Sequence, residues 1–298
     1  KILSNYIYGC IVLVIIGYIQ VLFYIVGIPW FDFWFLNDAI GRSIDGGLNS
    51  HALDHGFYRM SSLAGEPRHF SALLALSLML QYYLKSTGIK IRFINSRYSS
   101  LTTLFILSGM LFSFSSSGLL SLLIGLGIYF FFTDKVKVLL FTIFCVVVII
   151  FLADNPMIYR LTWKLSSLEM ILYAAKKDAF ALQAIVHNWG HFMWGYGMNL
   201  ADLYVPDYYL LQETPFGLVN RYLDEAPMSG AIMPTSALLQ IILNGGIIGF
   251  LLLLGFLYRE IRFCKRNTKF IIFSILGMTA VSSSLIFSIA IFFFAIII

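Results

Sequence analysis

Charge is scarce in this chain. Of its 298 residues 12% are Asp, Glu, Lys or Arg, about half the roughly 25% of an ordinary soluble domain, while 59% are apolar. That balance excludes a water-soluble globule. Cysteine is scarcer still: Cys10 and Cys145 lie inside apolar runs and Cys264 in a basic connector, so no pair is placed for a disulfide framework. The interiors of the apolar runs contain no Asp, Glu, Lys, Arg or His. Ion-coupled transporters place ionisable groups at membrane depth, and these segments offer none for such a relay. Nor do the apolar runs or the basic connectors hold any of the 5 His, 5 Trp or 7 Pro, all of which fall within residues 29–69 and 154–235.

What is present is a series of apolar runs at about 5–28, 70–84, 98–114, 118–133, 138–153, 236–257 and 270–286, with a last run cut off at Ile298. Several approach the roughly 20 residues that cross a bilayer as helix, and the mean hydropathy is +0.85. The pattern predicts an all-α, polytopic integral membrane protein, a single membrane domain over 1–298 interrupted by two long loops. The pair of runs between Tyr98 and Phe132 is kept as two spans, with Ser115, Ser116, Ser117 and Gly118 marking its turn. The opening run follows Lys1 rather than Met and lacks a small-residue cleavage site, so it reads as a helix and not a signal peptide. Further helices are expected before Lys1 and after Ile298.

Charge orients the spans. The short connectors and Lys1 hold 12 of the 20 Lys and Arg against Asp134 and Glu260 alone, a net of +10. Segments 29–69 and 154–235 hold the remaining 8 basic residues against 13 acidic ones, a net of −5. By the positive-inside rule the two long loops lie outside the cytoplasm, so a pI of 9.0 calls for no nucleic acid. Trp30 and Trp34, just past the first run, fit interfacial anchors. Within the larger loop, Leu161, Leu165, Leu168, Leu172, Ala175, Ala179, Leu182 and Val186 recur at helical spacing, which predicts an amphipathic helix. From Asn188 to Pro234 the chain turns rich in Gly, Pro, Asn and aromatics and reads as an irregular, functional loop.

The first loop ends in Arg59-Met60-Ser61-Ser62-Leu63-Ala64-Gly65-Glu66-Pro67-Arg68, immediately before a run begins. Arg carries a fixed fork of donors that binds phosphate bidentately and keeps its charge, so Arg59 and Arg68, with Arg160 and Arg221 of the second loop, suit a pyrophosphate. Interfacial snorkelling, with Glu66 as a salt-bridge partner, is the plainer alternative for Arg59 and Arg68. Outer groups able to take a proton are His187, His191, Glu66, Glu213, Asp224 and Glu225, of which Glu66, His191 and Glu225 are carried forward as catalytic candidates. No group of acids or His has metal-ligand spacing, so neither a metal nor another cofactor is expected.

From Asn188 the chain reads Asn-Trp-Gly-His-Phe-Met-Trp-Gly-Tyr-Gly-Met-Asn, and later Thr235-Ser236, nine residues, then Gly246-Ile247-Ile248-Gly249 entering an apolar run. This order resembles the bacterial O-antigen ligase and polymerase family of membrane glycosyltransferases. Their large periplasmic loop carries a Gly-x-Gly turn, followed by His, a small polar residue, nine residues and Gly-x-x-Gly. Gly195 and Gly197 match the turn, and Ser236, Gly246 and Gly249 match the later motif. The Arg59 to Pro67 segment looks like the Arg and Glu-Pro segment of the polymerases, while Ser116-Ser117-Gly118 stands where many members have Ser-Arg-Gly. Thr235 replaces the His of ligases, and Thr is a poor base near neutral pH, which points towards a polymerase.

The resemblance spans roughly residues 57–257. It implies a GT-C-like helical bundle in the bacterial inner membrane with its active site facing the periplasm. It also implies undecaprenyl-pyrophosphate-linked glycans as donor and acceptor, contact with membrane lipid, and a chain-length regulator as a possible partner. A ligase acting on the lipid A core, a flippase of lipid-linked sugars and a structural membrane scaffold are the competing readings.

Overall fold

The computed structural model describes residues 2–27, 59–64, 67–88, 96–151, 189–197 and 236–281, and among these every regular element is helical. The chain divides into two compact units, one formed by Lys1–Thr162 with Cys264–Ile298 and the other by Trp163–Phe263. The predicted amphipathic helix over 161–186 lies outside the described residues.

In the first unit, α1 (Ile2–Val26) comes first, and α2 (Pro67–Ser86) follows a single turn of 3₁₀ helix at Ser62–Ala64. After them come α3 (Ser96–Phe112), α4 (Ser116–Thr133), α5 (Lys135–Phe151) and α8 (Arg266–Val281). Helix α1 is apolar almost throughout and buries only the stripe Ile7, Cys10, Val14, Gly17 and Gln20, spaced for one helical face. Helix α2 begins with Pro at its first position, where the missing N–H costs nothing. It is the least apolar of the long helices, yet it is the core: 14 of its 20 residues are buried, and α1, α3, α4 and α8 all pack on it. Its polar side chains serve contacts between or within helices. Gln81 accepts from Thr103 of α3 at 3.0 Å, and Tyr83 shares a hydrogen bond with Thr268 of α8 at 3.0 Å.

The turn between α3 and α4 falls at Ser113 to Ser115, slightly earlier than expected, with Phe114 at φ 46°. Gly118 is therefore not a turn residue. It lies within α4, where a Cβ would run into Ser71 of α2, so its lack of a side chain serves close helix packing. The two helices form no tight hairpin, because each packs along α2 and they meet each other little. Asp134 separates α4 from α5, its carboxylate accepting from the Val136 N–H at 3.0 Å.

The second unit contains α6 (Trp189–Trp194) and α7 (Ala237–Arg262). Helix α7 opens on Ser236, whose hydroxyl accepts from the Leu239 N–H at 3.5 Å, and it breaks at Gly246, which sits at φ 65° and ψ −175°. Among the described residues three helices are long and apolar enough to cross a membrane: α1, α4 and the Leu238–Arg262 part of α7.

Candidate functional site

In the first unit the Arg-bearing segment is pinned to the side of α1. Gln20 is fully buried, and its carbonyl oxygen accepts from the backbone N–H groups of Ser61 at 3.1 Å and Ser62 at 2.9 Å, while its amide donates to the Ser61 hydroxyl at 3.1 Å. The Ser62 hydroxyl donates to the Leu13 carbonyl at 2.7 Å, and the Met60 N–H donates to the last carbonyl of α3, Phe112, at 3.1 Å. Met60 is fully buried and fills the space that a side chain at Gly17 would need. Without Gln20 two buried N–H groups would lack an acceptor, each worth about 1–3 kcal/mol.

Gln20 lies six residues from the end of α1, so the pinned segment sits about 9 Å below that end at 1.5 Å per residue. Beyond it Leu22, Tyr24, Ile25 and Val26 remain exposed. The Nε atoms of Arg59 and Arg68 are buried. Arg68 stands in the first turn of α2, two residues after Glu66, and the helix dipole adds positive potential there.

In the second unit a glycine turn is locked into a helix break. Gly195 ends α6 in the left-handed region at φ 76°, its N–H donating to the His191 carbonyl at 2.8 Å, and Gly197 follows at φ 93°. The next two N–H groups leave the turn: Tyr196 donates to the Leu243 carbonyl at 2.8 Å and Gly197 to the Asn244 carbonyl at 3.0 Å. A break at Gly246 leaves the carbonyls of the preceding turn in need of outside donors, and the turn provides two. The approach is backbone on backbone. A Cβ at Gly195 would meet the Asn244 carbonyl, and one at Gly246 would meet the Met193 carbonyl. Glycine is required at both positions for space and for dihedral angles alike.

His191 is held by the same turn. Its ring stacks on Tyr196 with centroids 4.0 Å apart and planes at 12°, and its Nδ1 lies 3.2 Å from the Gly195 carbonyl oxygen. A carbonyl only accepts, so this hydrogen bond places the proton on Nδ1. In the neutral ring Nε2 then carries the lone pair, the state a general base needs.

Of the residues singled out in the sequence, Arg59 and Arg68 fall in the first unit, and His191, Gly195, Gly197, Ser236, Gly246 and Gly249 in the second. His191, Gly195, Gly197 and Gly246 are gathered into one lock. Gly249 is an ordinary helical residue with open space where a Cβ would stand, and packing does not require it to be glycine. Glu66, Arg160, Arg221, Glu225 and Thr235 lie outside the described residues, as do His187, Glu213 and Asp224.

Three participants were missed. Gln20 had a signal, as the lone amide deep in an apolar run, where an unmatched polar group is expensive. Tyr196 and the carbonyl pair Leu243–Asn244 had none, because one is an aromatic among many and the other acts through its backbone. No protein-family model, curated protein or solved structure matches the chain.

Proposed function

We propose that this chain is a polytopic bacterial inner-membrane glycosyltransferase that polymerises undecaprenyl-pyrophosphate-linked repeat units of O-antigen or a related polysaccharide at the periplasmic face. The observation that carries the reading is the lock itself. Gly195 and Gly246 come from two motifs that the family resemblance relates only by order, and here their backbones meet, with Gly197 bonded to the Asn244 carbonyl and His191 oriented on the same turn.

In the proposed reaction the bond between the donor's anomeric carbon and its pyrophosphate oxygen breaks. The acceptor hydroxyl oxygen, on a second lipid-linked repeat unit, bonds to that carbon. Its proton passes to His191 Nε2. Undecaprenyl pyrophosphate leaves with the bonding pair, and its charge suits arginine; Arg59, Arg68, Arg160 and Arg221 are the candidates, of which Arg221 belongs to the same unit as His191. Glu66 and Glu225 are the alternative bases. Electrostatic preorganisation of this kind supplies a large share of many rate accelerations.

Deletion of the gene tests the assignment in cells. A polymerase lengthens the lipid-linked glycan before a separate ligase attaches it, so the deletion strain should display surface lipid bearing a single repeat unit with no ladder above it. Loss of every repeat, with long chains accumulating on undecaprenyl pyrophosphate, would identify a ligase. An unchanged ladder would leave a flippase or a scaffold as the better account.

A further inference from the structure

The end of the first unit opposite Arg59 and Arg68 is also basic, and its charge has no use in the proposed reaction. Helix α2 runs from Arg68 to Lys85, about 26 Å at 1.5 Å per residue and close to the thickness of a bilayer's hydrocarbon core. Around Lys85 three helix ends are tied together. The Tyr83 hydroxyl shares a hydrogen bond with Thr268 of α8, the Tyr129 hydroxyl of α4 donates to that of Ser86 at 3.2 Å, and Phe132 of α4 stacks on Phe270 of α8 with centroids 5.4 Å apart. These contacts gather Lys85, Lys265, Arg266 and Lys269 at one end, with Lys135 and Lys137 following α4 at the start of α5. Asp134 is the only acid among the described residues of this unit, and it pairs with Lys137 at 3.6 Å.

The charge on α8 runs against local preference. A helix N-terminus carries positive potential and favours acids, yet α8 opens on Lys265, Arg266 and Lys269 with no acid in its first turn. Helix α5 also opens on lysines, but there Asp134 accepts from the Val136 N–H and pairs with Lys137. An apolar surface adjoins the cations of α8. The Arg266 guanidinium sits 5.4 Å over the Phe270 ring, Phe270 stacks on Phe132, and Phe132 lies 6.0 Å from Phe273. Phe132 and Phe273 are each 43% exposed, and Phe131 beside Phe132 is 69% exposed.

We infer that this end of the unit binds an anionic membrane phospholipid, with Lys265, Arg266 and Lys269 on the headgroup phosphate and Phe132 and Phe273 along the acyl chains. A small anion would answer the charge but leave the phenylalanines bare. A lipid without net charge would cover the phenylalanines but leave the cations unanswered. One molecule with both parts fits both surfaces, and clusters of Lys and Arg at the end of a span draw anionic lipid by the same chemistry. Helix α4, which is long and apolar enough to cross a membrane, ends at Thr133 beside this cluster. The inference stands apart from the polymerase reading, since it needs only that α4 spans the bilayer.

The purified full chain, delipidated in detergent, is titrated with phosphatidylglycerol or with phosphatidylcholine, and bound lipid is counted by native mass spectrometry. Phosphatidylglycerol should be held about tenfold more tightly than phosphatidylcholine. Replacing Lys265→Gln and Arg266→Gln together should weaken it about thirtyfold, whereas Lys135→Gln with Lys137→Gln, which removes the same charge, should weaken it no more than about threefold. All four side chains are exposed, so both double variants should fold as wild type does. Equal affinity for the two lipids, or equal weakening by the two double variants, overturns the site and leaves only diffuse attraction between charges. Displacement of phosphatidylglycerol by an excess of inorganic phosphate overturns it in favour of a free anion.

Discussion

The two units each hold an irregular stretch of backbone against a helix, and they do it with different groups. At residues 61 and 62 the acceptor is a side chain, Gln20, reaching out of an unbroken helix. At residues 196 and 197 the acceptors are main-chain carbonyls, exposed because the helix is broken at Gly246. The first arrangement leaves α1 intact and places its whole dependence on one amide. The second needs no particular side chain but demands glycine on both surfaces, because the backbones approach too closely for a Cβ. A side-chain clamp can therefore be weakened by degrees, whereas a backbone lock should fail at the first added carbon.

Gly246→Ala is the sharpest way to break this contrast. Alanine at φ 65° and ψ −175° is strained by about 1–3 kcal/mol, and its methyl would also collide with the Met193 carbonyl. The lock should open, with loss of activity beyond about a hundredfold and rapid proteolysis near Gly195 in a protein that otherwise remains folded. Retention of wild-type activity would show that the turn does not need its docked position.

Gln20→Leu comes next. It keeps side-chain volume but removes the acceptor of two buried N–H groups, so stability should fall by about 2–4 kcal/mol, read as a lower unfolding midpoint in detergent. An unchanged midpoint would show that the pinned segment does not depend on Gln20. Gly249→Ala should do least. Its position is helical and open, so alanine should be neutral or stabilising by up to about 1 kcal/mol, despite the place of Gly249 in the same short motif as Gly246.

That last pair shows how far the sequence could be read. Helix positions were legible because charged connectors and Pro bound the apolar runs: 5–28 became Ile2–Val26, and 118–133 became Ser116–Thr133. Which helix forms the core was not legible. Apolarity points to α1, α4 and α5, yet the more polar α2 lies at the centre, since its Ser and Gln side chains find partners there. The run at 236–257 reads as unbroken, with Gly246 at its middle, and only the approach of Gly195 gives the break a reason. In the candidate site the glycines were visible as a motif because they are letters in the sequence. The carbonyls they dock on were not, since backbone groups belong to every residue.

Reconstitution tests the account most directly. The purified chain is placed in liposomes with extracted lipid-linked repeat units as the only substrate, and the lipid extract is resolved by glycan length. The account predicts a ladder spaced by one repeat unit, undecaprenyl pyrophosphate released in step with its growth, and the same ladder in the presence of a chelator. A folded wild-type protein that leaves the starting band unlengthened, or that only moves it across the bilayer, would contradict it.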